Sequence, residues 1–175
     1  MTREQLEHLI RAAGHSIGED AVIVIGSQAI LATYPEGLPA AAIASLESDF
    51  IPLDDVDEAK ADQIVGDLGE GSAFHEQFGI YADAGDPNTA RLPAGWRDRL
   101  VPLKSANTNG VTGLCLEPHD LVVSKLLASR PKDLAYARAL LEAGYVNAAM
   151  LRQRLPYTEA TDSEKQRIAA FLDAI

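Results

Sequence analysis

The sequence holds one cysteine, Cys115, one tryptophan, and no apolar run long enough to cross a membrane. A lone cysteine excludes internal disulfides and any multi-cysteine metal site. A membrane helix needs about 18 or more successive apolar residues, and no segment supplies them. Basic residues are scarce as well: 15 lysines and arginines stand against 26 aspartates and glutamates, a formal charge of −11. Proteins that grip long DNA do so through a basic face that displaces counterions, so this balance argues against that role. A compact basic site for a triphosphate, or for one end of an RNA, remains compatible with it. The start, Met1-Thr2-Arg3-Glu4-Gln5, lacks a basic segment followed by an apolar one. No secretory signal is read there, and a cytoplasmic location is expected.

What is present is the composition of an ordinary folded protein: 175 residues, 47% hydrophobic and 23% charged, enough for one domain with a real core. Neither a repeat nor a low-complexity linker divides it. Helical spacing of Leu6, Leu9, Ile10 and Ala13 predicts a helix from Glu4 to Ala13, with Gly14 as its stop. Ala21-Val22-Ile23-Val24-Ile25 reads as a strand buried on both faces. Ser27 to Ala32 reads as a short helix and Ser45 to Leu53 as a second strand. Asp54 to Leu68 is an acidic helix with Val56, Ala59, Ile64 and Leu68 on its apolar side. A short helix and a strand through Gly79 to Ala82 follow. Strands at Leu100 to Leu103 and Gly113 to Leu116 flank the turn-forming Asn107-Thr108-Asn109-Gly110. From Pro118 onward the pattern is helical: Pro118 to Ser129, Pro131 to Ala143, Asn147 to Leu155 and Ser163 to Ala174. The expected architecture is α/β: a mixed sheet flanked by helices over residues 1–116, with a helical subdomain over 117–175 in the same compact unit.

The chemistry concentrates at two places on the strands. Gly26-Ser27 closes the first strand and opens a helix, where a glycine admits a phosphate and a serine hydroxyl and helix amides donate to it. Glu47 and Asp49 stand at i and i+2 on the second strand, so both carboxylates leave one face, with Cα atoms about 6–7 Å apart. That spacing suits Mg2+ ions roughly 3.5–4 Å apart, as two-metal phosphoryl chemistry requires. Other residues read as structural. His75-Glu76 has no second histidine at metalloprotease spacing and is read as a helix-surface pair near Phe74 and Phe78. His119 belongs to a helix start. Trp96 to Arg99 suits packing over a strand edge better than base stacking, and Cys115 is a buried small hydrophobe. Lys104, Arg130, Lys132 and Arg138 are the residues from which a local basic patch would be built.

The stretch Ala21 to Ile30, followed by Glu47-Ser48-Asp49-Phe50-Ile51-Pro52, resembles the polymerase-β-type nucleotidyltransferases, in which a G-[GS] element precedes a D-x-[DE] pair. Within that superfamily the chain is most similar to bacterial families of unknown function related to the AbiEii and MenT toxins of toxin–antitoxin systems. The stretch from Glu117 through Asp120-Leu121, Lys125, Ala128 and Arg130 to Lys132-Asp133 resembles their "D-L…K…A…R-x-K-D" segment. The resemblance implies a Mg2+-dependent enzyme that moves a nucleoside monophosphate from an NTP to an RNA end such as that of tRNA, a protein hydroxyl or a small molecule. It implies that Gly26, Ser27 and Lys132 hold the nucleotide. Glu47 and Asp49 would ligate metal, with Lys125 and Asp133 joining them in catalysis. This sequence departs from the pattern in placing Glu47 where the first aspartate stands, and Ile51 where a further carboxylate step would continue. It offers only Asp83 and Glu70, by position, as a third carboxylate. The alternative expectation is therefore a decayed nucleotidyltransferase fold serving as a binding or regulatory module. Pro131 is expected to break the helix between Lys125 and Lys132.

Overall fold

The computed structural model describes residues 1–55, 57–86 and 90–175. Its centre is a five-stranded mixed sheet in the order β3-β2-β1-β5-β4, with β1 at Ala21–Val24, β2 at Glu47–Ile51, β3 at Tyr81–Ala84, β4 at Val101–Leu103 and β5 at Thr112–Cys115. The middle strand, β1, runs antiparallel to β2 and parallel to β5. Val22, Ile23 and Val24 are fully buried, as an uninterrupted apolar run in a central strand must be. Helices flank the sheet: α1 (Arg3–Ile17), α2 (Ala40–Ile43), α3 (Ala59–Leu68), α4 (Ala73–Phe78), then α5 (Pro118–Ala128), α6 (Pro131–Glu142), α7 (Ala148–Arg154) and α8 (Asp162–Asp173). This is the nucleotidyltransferase-type arrangement of a mixed sheet between helices. One hydrophobic cluster joins Leu6 and Ile10 of α1, the central strands, α5 and the late residues Ile168 and Leu172.

Two helix boundaries differ from those the sequence suggested. Gly14 does not stop α1, which continues to a left-handed C-cap at Gly18 (φ 70°). Gly14 serves packing instead, because a Cβ there would lie 2.5 Å from the Val111 side chain and 2.8 Å from the Glu19 carbonyl. The acidic helix begins at Ala59 rather than Asp54, after Glu58 at φ 59°. Asp55 explains the start, since its carboxylate accepts from the amides of Lys60 and Ala61. Its buried stripe is Ala61, Ile64 and Leu68, and Ala59 is exposed. Val56, expected on that stripe, lies outside the described residues.

The helical part folds as the prolines dictate. Glu117 caps α5 by accepting from the amides of His119 and Asp120, with Pro118 in the first turn. Ser129 takes a left-handed conformation (φ 56°) that ends α5, and Pro131 opens α6. Lys125 and Asp133 thus sit on different helices whose side chains meet.

Candidate active site

Strand register assembles the acidic end of the site. Strand β2 pairs with β3 in parallel, with Asp49 opposite Asp83 and Glu47 opposite Tyr81. Side chains of one face therefore gather Glu47, Asp49 and Asp83, and one oxygen from each lies within 4.8 Å of the others. Of the two positions considered for a third carboxylate, Asp83 reaches the pair; Glu70 is not in the cluster.

Gly26 makes this cluster possible by what it leaves out. A Cβ at Gly26 would fall 1.6 Å from Asp49 Oδ2, so any other residue would displace that carboxylate. Its backbone (φ −72°) is one that any residue adopts, so the requirement is space and not conformation. The sequence suggested that the glycine admits a phosphate; here it admits the Asp49 carboxylate. Next to it, Ser27 starts the 3₁₀ turn Ser27–Ala32, and its carbonyl accepts from the Tyr136 hydroxyl at 2.8 Å. Tyr136 is buried, and its bond fixes the Gly26-Ser27 turn against α6.

The opposite wall is cationic. A cleft of about 350 Å³ is lined by Gly26, Asp49 and Asp83 on the strand side and by Lys125, Arg130 and Arg91 on the other. Lys125 Nζ stands 3.4 Å from Asp133 Oδ1, and Arg130 Nε donates to Asp133 Oδ2 at 2.6 Å. Asp133 is buried behind this wall. Burial alone would raise its pKa, but the Arg130 hydrogen bond and the Lys125 and Arg130 charges outweigh it and hold the carboxyl below its ordinary value. Lys132 is exposed and outside the lining, although its charge reaches Asp49. Arg138 turns away, pairing with Glu142 and lying over Phe171. Lys104 is likewise absent from the lining.

Electrostatics distinguish the two walls. Burial raises the Asp49 pKa, the Glu47 and Asp83 charges push it further, and Lys125 pulls it back. No lysine or arginine forms an ion pair with Glu47, Asp49 or Asp83 among the described residues. Three hard oxygen donors in mutual repulsion match the donor set that Mg2+ takes. A divalent cation would relieve the repulsion that Asp49 records, so the residues fit such an ion.

Residues 4–173 match the family described as nucleotidyltransferase of unknown function (DUF6036). The chain belongs to this family. No curated protein and no solved structure matches it significantly. No helix among the described residues is long and apolar enough to cross a membrane.

Sequence reasoning missed Arg91 of this DUF6036 chain altogether. It follows β3 and reaches the cleft because its guanidinium is held by Glu164 of α8 at 2.8 Å and by the Leu127 carbonyl at 3.1 Å. No local pattern announces contacts 73 and 36 residues away. His75 lies on α4 with Phe74 and Phe78, as the sequence suggests, but its ring packs elsewhere. The histidine ring against Phe74 and Phe78 is that of His8 of α1, with centroids 5.0 and 4.4 Å away, whereas His75 packs on Tyr81. Trp96 packs against the core, with Arg97 over its ring. Cys115 is buried, and burial pushes its thiol pKa up to about 12.

Proposed function

We propose that this protein is a Mg2+-dependent nucleotidyltransferase that moves a nucleoside monophosphate from an NTP to an acceptor hydroxyl. The observation that carries this reading is the convergence of Glu47, Asp49 and Asp83 at a cleft that Asp49 and Asp83 line together with Lys125 and Arg130. A triphosphate needs both: cations against its oxygens, and carboxylates to hold the metal that accompanies it. When bound to the three carboxylates, Mg2+ would neutralise charge on the triphosphate and activate the attacking hydroxyl.

The chain's own residues divide the remaining work. Lys125, a flexible point charge, and Arg130, a planar fork, contact phosphate oxygens from the helical wall. Asp133 positions both cations, and Lys132 adds an outer contact near the mouth. Gly26 keeps Asp49 in place, and Ser27, next to Gly26 at the cleft but outside its lining, is the nucleotide-binding position the resemblance implies. The hydroxyl attacks the α-phosphorus in line, forming the new O–P bond as the bond to pyrophosphate breaks.

The acceptor classes are an RNA end, a protein hydroxyl and a small molecule. The stretch from Glu117 to Asp133 resembles a segment of families related to the AbiEii and MenT toxins, which brings tRNA and a toxin-like role into the set to be tested. Incubation of each α-phosphorus-labelled NTP with tRNA, total protein or small-molecule fractions, with and without Mg2+, tests the reading. Metal-dependent labelling that disappears in Glu47→Ala and Asp49→Ala is expected. Labelling that survives both substitutions would overturn the assignment. Absence of metal-dependent NTP binding would instead favour the binding or regulatory module.

A further inference from the structure

The glutamate at position 47 is the departure in this site, and the structure contains a device that addresses it. Compared with aspartate, glutamate carries one more rotatable bond, so its carboxylate is less fixed and loses more freedom on binding an ion. Directly across the strand pair stands Tyr81, whose hydroxyl donates to Glu47 Oε2 at 3.3 Å. Tyr81 is itself held. The His75 ring packs on it with centroids 4.8 Å apart and planes at 52°. His75 is fixed in turn, because its Nδ1 accepts from the Gly71 amide at 3.0 Å. A chain of contacts therefore runs from the turn before α4, through His75 and Tyr81, to Glu47.

We propose that Tyr81 is the positioning residue that lets a glutamate serve at the first metal-ligand position, by tethering the Glu47 carboxylate through Oε2 beside Asp49 and Asp83. The inference rests on the metal site of the proposed function and goes beyond it. Aspartate, one methylene shorter, would draw its carboxylate back from the phenol and need no such tether. Tyr81 touches neither metal nor nucleotide in this account, and it acts through Glu47 alone. Hydrogen-bond partners of metal ligands commonly contribute about tenfold or more to metal affinity, and the long 3.3 Å bond places Tyr81 at the low end of that range.

The test is Mn2+ binding to the full chain, followed by electron paramagnetic resonance of the free ion, for the unmodified protein, Tyr81→Phe, Glu47→Asp and the double variant. Phenylalanine keeps the packing on His75 and removes only the hydroxyl. Tyr81→Phe is expected to weaken Mn2+ binding about five- to tenfold, and to change it less than twofold once Glu47→Asp is present. An unchanged affinity in Tyr81→Phe, or an equal loss in both backgrounds, would overturn the tether while leaving the metal site standing. Failure of the unmodified, folded protein to bind Mn2+ would overturn the metal site, and the tether with it.

Discussion

Two groups of acidic residues occupy this molecule, and the fold treats them in opposite ways. Asp120, at the start of α5, is fully buried and gripped by Arg99 and Arg154, each at 2.8 Å. Glu117 beside it caps the helix and hydrogen-bonds His119. Glu47, Asp49 and Asp83 face one another across β2 and β3 with no basic side chain in ion-pair contact among the described residues. Burial raises the carboxyl pKa in both places, to about 6 for Asp120 even against the pull of Arg99. The difference is in the remedy. Around Asp120 the chain supplies the counter-charge itself and ties the turn before β4, α5 and α7 together. Along β2 and β3 it leaves the charge to be met from outside, which is what a site for a cation and a triphosphate requires.

Substitution separates the two groups. Asp49→Ala should lower nucleotidyl transfer by about 10³-fold, on the scale of losing a preorganised electrostatic group, with a melting temperature equal to or above that of the parent. Paired activity assays and thermal melts check this, and a collapse of the fold would place Asp49 with Asp120. Conversely, Asp120→Ala leaves two guanidinium groups without their counter-charge and should cost about 3 kcal/mol of stability in a urea melt. Its transfer activity should persist below the melting range. A stability loss under 1 kcal/mol would show that the buried pair does not secure the helical part.

Gly26→Ala probes the boundary between fold and site. The added methyl must displace the Asp49 carboxylate, and misplacement on that scale costs about 10²-fold in rate while moving stability far less. Retained activity would mean that Asp49 works from another position. The smallest effect is one of pH. Asp120 has a folded pKa of about 6, above the unfolded value of about 3.9. Its stabilising contribution is therefore whole below the unfolded value and lost as pH rises through about 6. Relative to Asp120→Asn, the parent protein should gain stability as pH falls from 7 to 4. The opposite slope would show that Arg99 and Arg154 outweigh burial.

Much of this fold was legible because local pattern and final environment agree. The apolar run Ala21 to Ile25 announced the central strand, Pro118 and Pro131 marked helix starts, and Glu47 with Asp49 announced a shared face. Long-range packing accounts for the rest. Gly14 has the form of a helix stop, and only the approach of Val111 reveals it as a contact surface. Asp83, a candidate by position alone in the sequence, joins Glu47 and Asp49 through strand register, and Arg91 enters the cleft through α8. Gly26 was singled out for a phosphate, yet its nearest neighbour is a carboxylate that no local reading places there.

The most direct test is crystallographic: anomalous scattering from Mn2+ in crystals grown with a non-hydrolysable NTP. The account predicts a peak about 2.1 Å from oxygens of Glu47, Asp49 and Asp83, with the triphosphate between it and Lys125. A nucleotide bound elsewhere, or Mn2+ bound away from these three carboxylates, would contradict it.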